Sequence, residues 1–149
     1  MAEFFVSVPN HDMATQVAAM VNKYNRWITR FSAQSILLTS AKYFVELDGS
    51  KVVGCASHLQ DHETLTKIQH ICVLPAYRQH GIAKKLTKLA ISYCDTEYVY
   101  MTIREDNYKS LLLAHSLEFR YVEKNWFRDH WTLTFGRRKE NAGRDHMCN

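Results

Sequence analysis

The chain has 149 residues, 46% of them hydrophobic, which suits one domain with a real core and argues against a disordered chain. No apolar run approaches the roughly 18 residues that a membrane span needs, and residues 1–5 lack the basic-then-apolar pattern of a signal peptide, so a cytoplasmic protein with no membrane partner is expected. Four scattered cysteines without a CxxC pair argue against a zinc site and a disulfide framework, and a net charge of +4 suits an anionic ligand or a nucleic-acid surface without selecting either.

In chain order, residues 4–8 read as a short strand ended by Pro9. Met13, Val17, Met20, Val21 and Tyr24 recur at helical spacing and predict a helix with Asn10 or Asp12 as N-cap. Residues 32–40 predict a second short helix with Ile36, Leu37 and Leu38 facing inward. Residues 43–47 and 52–56 flank Asp48-Gly49-Ser50 and read as a hairpin. A polar turn at 60–63 leads into a strand over 65–73. A helix follows over 82–93, burying Ile82, Leu86, Leu89, Ala90 and Tyr93 and turning Lys84, Lys85 and Lys88 outward. A strand over 98–103, a helix over 108–117 and two strands over 119–123 and 130–135 complete the pattern. Residues 136–149 read as a polar, mobile tail, which leaves 1–135 as a single domain. This order predicts a mixed α/β domain on a largely antiparallel sheet.

The densest chemistry lies between residues 71 and 86, where a buried strand ends at Pro75 and a helix begins near Ile82. The first turn of a helix offers unpaired backbone N–H groups and the positive end of its dipole, a ready site for a diphosphate. Gly81 would let the backbone approach such a ligand without a Cβ in the way. Arg78 adds a charge and a fork of donors.

In these residues the chain resembles the GNAT superfamily of N-acetyltransferases. Val73, Pro75, Arg78, Gly81 and Ala83 match the family string V-x-P-x-x-R-x-x-G-x-G/A between strand and helix. A second match follows the strand over 98–103, where Asn107, Ser110 and Phe119 fit the family pattern. The resemblance covers residues 45–133. It implies a central, mostly antiparallel sheet of six or seven strands flanked by helices, and acetyl-CoA as acyl donor. By resemblance, Gln79, His80, Gly81, Ile82 and Ala83 hold the pyrophosphate, with Arg78 and Lys84 beside them. Backbone groups of Cys72 and Val73 would follow the pantetheine arm, Asn107 and Ser110 would lie by its thiol end, and the Val73 N–H would serve as oxyanion donor.

Two departures bear on mechanism. The family often places a Tyr seven residues after the Asn, to protonate the departing thiolate. Here that position is Ala114, and the neighbouring His115 is turned about 100° around a helix. The family's Gly before the final Phe is Glu118. Positions where many members carry a base fall on Lys67 and Gln69, neither of which suits that task near neutral pH. His70 has the other strand parity and would face away unless a bulge intervenes. Asp61, His62 and Glu63 in the preceding turn are further candidates. The catalytic candidates are therefore His115, Glu63 and His70, with the Val73 amide.

Arg26, Trp27, Arg30 and Trp126 fall where the family layout walls the acceptor site. The acceptor would be an amine on a small molecule or a macromolecule. Interleaved aromatics and cations, with Arg128, Arg137, Arg138 and Lys139, keep nucleic acid open as an acceptor. A non-catalytic CoA-binding module is the other alternative, and the protein would be a monomer or a homodimer. Eight His residues are present, but His58, His62 and His70 match no ligand spacing, so no metal is expected.

Overall fold

A computed structural model describes residues 3–5, 10–25 and 30–139. Among the described residues it is a mixed α/β fold with seven strands in the order β1-β2-β3-β4-β5-β7-β6, mostly antiparallel and flanked by helices. By contacts the chain separates into two compact units, Met1–Leu59 with Ile68–Ala90 and Gln60–Lys67 with Ile91–Asn149. Among the described residues, no helix is long and apolar enough to cross a membrane.

The first unit opens with strand β1 (Glu3–Phe5), paired antiparallel with β2 (Lys42–Asp48). Helix α1 (His11–Tyr24) starts where Asn10, in extended backbone, accepts the Met13 amide on its side chain at 2.9 Å. Its buried face, including Met13, Val17, Met20 and Val21, is the predicted one. Helix α2 (Ala33–Leu38) opens with a capping box between Ser32 and Ser35. Of its apolar run only Ile36 is buried; Leu37 is 40% and Leu38 75% exposed. Three consecutive helical residues sweep about 200° and cannot all face inward, which corrects the sequence expectation. Strand β3 (Lys51–Gln60) returns antiparallel to β2 across the turn at Gly49, whose φ of 65° is the left-handed geometry that glycine adopts without strain. Strand β4 (Leu65–Val73) gives its later residues to this unit, and helix α3 (Ile82–Ser92) follows.

Helix α3 ends one residue before Tyr93, which is 51% exposed rather than buried, because the helical period stops there. Its inner face rests on Gly54: an added Cβ would stand 2.8 Å from Ile82 Cγ2, so the helix approaches as closely as a glycine allows.

In the second unit, Leu65, Thr66 and Lys67 of β4 pair in parallel with β5 (Tyr98–Arg104). Helix α4 (Tyr108–Ser116), β6 (Arg120–Phe127) and β7 (His130–Arg138) follow, with β7 antiparallel to both β5 and β6. The strand continues past the predicted boundary at 135. Tyr98 supplies a ladder partner for Arg138, and Arg138 Nη1 reaches Glu97 at 2.6 Å, so residues 136–138 belong to the sheet and not to a tail. Residues 140–149 lie outside the described residues.

Candidate functional site

The segment from β4 to α3 is built as the sequence predicts, and the loop between the two lies within the first unit. Leu74 donates its amide to the Val53 carbonyl at 2.9 Å, which ties the exit of β4 to β3. A single 3₁₀ turn, Pro75–Tyr77, follows, and the Tyr77 phenol donates to Asp48 at 2.6 Å. That carboxylate pushes the Tyr77 phenol above its ordinary pKa. Two residues then take positive φ, Gln79 at 66° and Gly81 at 79°. A Cβ at Gly81 would meet nothing within 4 Å, so the backbone there faces open space.

Lys85 N–H to the Gly81 carbonyl, 3.0 Å, starts the α3 ladder. By helix geometry the amides of Ile82, Ala83 and Lys84 come too early to have an intrahelical acceptor. Ile82 is buried, whereas Gln79, His80, Gly81 and Lys84 are exposed. A run of backbone donors therefore stands at the surface beside a glycine, the arrangement that receives a phosphate.

Arg78 departs from expectation. Its Nε donates to the Val73 carbonyl at 2.8 Å, and its guanidinium lies 5.0 Å from the centre of the Tyr24 ring. It is half-buried and staples the loop to the end of β4 and to α1. Lys85, in the first turn of α3, forms an ion pair with Glu46 of β2, whose carboxylate is fully buried. Neither carboxylate oxygen has a well-angled hydrogen bond, so this contact is charge pairing.

Strand β4 is irregular at His70, which has φ of 54°. Its ring is buried, with Nδ1 2.6 Å from the Tyr43 phenol and Phe31 edge-on at 4.7 Å between ring centres. Its carbonyl accepts the Cys55 thiol at 3.2 Å. Burial pushes the Tyr43 phenol well up, and Cys55 is pushed up first by its bond with Cys72 and then by burial. Both groups keep their protons near neutral pH, so Cys55 is a poor nucleophile.

In the second unit, Asn107 N-caps α4, its side chain accepting the Ser110 amide at 3.2 Å. Ala114 is fully buried and His115 is exposed, in keeping with the turn between neighbouring helical positions. Glu63 is exposed in its turn, where the Tyr100 phenol donates to Asp61; burial, then that carboxylate, pushes the phenol up to about 12. Trp126 is 58% exposed, and its ring meets Trp131 edge-on at 5.3 Å. Arg30 is exposed, and Arg26 and Trp27 lie outside the described residues.

Glu118 explains the missing glycine. It takes φ of 65°, with its amide on the His115 carbonyl at 2.9 Å and the Phe119 amide on the Ala114 carbonyl at 3.0 Å. These are the two bonds of a left-handed helix stop, a position that glycine fills without a Cβ penalty. Glu118→Gly is expected to stabilise the protein by about 0.5–1 kcal/mol, checked by urea denaturation. A loss of stability would overturn that reading of the stop.

Sequence reasoning missed Tyr43 and Glu46. Glu46 left a trace, as a lone acid inside the apolar run Tyr43-Phe44-Val45-Glu46-Leu47; Tyr43 left none.

The family model of the acetyltransferase (GNAT) family matches residues 12–119. The fold is similar to that of yncA from Salmonella typhimurium, solved with its cofactor acetyl-CoA (TM-score 0.76, 16% identity, 94% of this chain and 96% of that one). It is also similar to a ribosomal-protein-alanine N-acetyltransferase of Brucella melitensis (TM-score 0.77, 15% identity, 92% and 99% covered). A phosphinothricin acetyltransferase of Sinorhizobium meliloti, in complex with acetyl-CoA, has TM-score 0.74 and 19% identity over 92% of this chain and 88% of that one. Among curated protein sequences none matches the chain significantly. With the strand–loop–helix at Gly81, the Asn107 cap and the match over 12–119, the chain belongs to the acetyltransferase (GNAT) family.

Proposed function

We propose that this protein transfers an acetyl group from acetyl-CoA to a primary amine by direct attack of the amine, without a covalent enzyme intermediate. The carrying observation is the cradle at Gly81, an open left-handed glycine ahead of three helix-start amides. Those residues fit a diphosphate: the donors are backbone, the surface is open, and Lys84 and Lys88 stand exposed on the same helix. The amides of residues 79–83 would hold the diphosphate, with Lys84 adding charge. Backbone groups of Cys72 and Val73 would follow the pantetheine arm, with the Val73 N–H as oxyanion donor. Asn107 and Ser110 are assigned to the thiol end by family pattern. The donor supplies a thioester, an acyl group already activated toward amines. The chain's task is then to place a neutral amine against that carbonyl, and positioning contributes much of the rate.

Glu63 and His115 are exposed, and the reading leaves deprotonation of the amine to water or to an acceptor of low pKa. The basic run that kept nucleic acid open is engaged within its own unit. Arg137 donates to the Leu117 carbonyl at 2.8 Å, Arg138 pairs with Glu97, and Lys139 donates to the Cys94 carbonyl.

The test is a calorimetric titration of acetyl-CoA, followed by a panel of small amines and N-terminal peptides scored by CoA release. Binding with amine-dependent release is expected. Binding without release from any amine would leave a CoA-binding module. No binding, with salt-sensitive retention on RNA or DNA, would replace the reading.

A further inference from the structure

A regular β-strand has no use for a non-glycine residue at positive φ, and such residues persist where the surroundings hold them, often at functional sites. His70, at φ 54° in the middle of β4, is held three ways. Tyr43 of β2 binds its imidazole at 2.6 Å, Phe31 closes on the ring edge at 4.7 Å, and Cys55 of β3 donates its thiol to the His70 carbonyl at 3.2 Å. Tyr43 is 3%, Cys55 0% and His70 6% exposed, so the cluster is dry. The phenol, kept protonated by burial, is the natural donor to Nδ1. Side chains from β2 and β3 thus converge on the positive-φ residue of β4, two and three residues before Cys72 and Val73.

We infer that Tyr43 and His70 are positioning residues, which lock the β4 irregularity and thereby aim the following backbone amides at the acyl carbonyl of the donor. This rests on the donor reading above. A residue in left-handed backbone turns the strand that carries it, so an amide after His70 points differently from one in a regular strand. The imidazole acts here as a buried strut, with its Nδ1 taken up by the Tyr43 phenol. That distinguishes it from a general base, and it predicts which replacement will serve. Asn tolerates left-handed backbone and sets an amide group near the place of Nδ1; Ala does neither.

The experiment compares acetyl-CoA with S-ethyl-CoA, a thioether that lacks only the carbonyl oxygen, by calorimetry on the full chain. Wild type is expected to prefer acetyl-CoA by roughly three- to tenfold, the fold-change of one neutral hydrogen bond. Tyr43→Phe and His70→Ala should erase that preference while S-ethyl-CoA affinity holds, because the diphosphate cradle is untouched. His70→Asn should retain it. Circular dichroism of each variant checks the fold, and Tyr43→Phe, which removes one oxygen, carries the test if His70→Ala unfolds. The inference is overturned if wild type shows no preference, if the preference survives Tyr43→Phe, or if His70→Asn loses it as fully as His70→Ala. Failure of both ligands to bind wild type would instead defeat the donor reading.

Discussion

Gly81→Trp is expected to lower acetyl-CoA affinity by more than about a hundredfold and to leave the fold intact. The two effects of the substitution separate cleanly. A non-glycine residue at φ 79° carries backbone strain of about 1–2 kcal/mol, but that strain is present with and without ligand, so it lowers stability and not affinity. The added side chain meets no protein atom within 4 Å at its Cβ, so it does not clash with the core. A Trp side chain there has room to lie over the first-turn amides of α3 and exclude a diphosphate from them. Hydrogen bonds to a charged acceptor contribute roughly 1.5–3 kcal/mol each, and losing two of them gives the stated fold-change. Gly81→Ala, which adds the strain with little cover, should bind within about tenfold of wild type. Titration of both variants and a melting curve for each would check this. A Trp variant that binds acetyl-CoA nearly as well as wild type would mean that the diphosphate lies elsewhere.

The strand–loop–helix around Gly81 was legible in the sequence because its parts are local. Pro75, Gly81 and the apolar spacing of Ile82, Leu86 and Ala90 lie within 16 residues, and each acts through its own backbone or helix face. Asn10 was legible as a cap for the same reason. Elements failed where the outcome depended on a partner distant in sequence. Leu37 and Leu38 look like core residues until the short α2 leaves them without a cover. The end of β7 looks like tail until Tyr98 and Glu97 supply partners about 40 residues away. His70 is the sharpest case. Strand alternation pointed it away from function unless a bulge intervened, and it takes a φ of 54° with Tyr43 and Cys55 converging on it from two other strands. No local pattern encodes that convergence. Arg78 also has contacts that no local pattern encodes: its Nε donates to a carbonyl five residues back and its guanidinium lies over the Tyr24 ring.

Lys85→Met is expected to destabilise the protein more than the double change Glu46→Met with Lys85→Met. Glu46 is fully buried beneath α3, and the Lys85 ammonium is its ion-pair partner there. Removing the cation strands a carboxylate in an apolar interior, which costs about 3–5 kcal/mol for a fully buried pair. The Lys85 side chain is 48% exposed, so solvent already screens part of the pairing and about 2–3 kcal/mol is the better expectation. For a chain of this length that corresponds to a fall in Tm on the order of 10 °C. The double variant replaces the pair with two flexible apolar side chains of similar length, and such exchanges are often neutral or stabilising. Thermal unfolding of the three proteins decides the matter: equal losses in the single and double variants would show that packing of the Lys85 stem, and not charge, holds the contact. If the double variant is as stable as wild type, the ion pair is not retained for stability. Its place then becomes the argument, since Lys85 is the residue whose amide opens the α3 ladder on Gly81. The pair would pin the first turn of α3 in rotation about its axis, and with it the direction of the three amides ahead of it. The double variant should then keep its Tm and lose acetyl-CoA affinity several-fold, a combination that a purely structural ion pair would not produce.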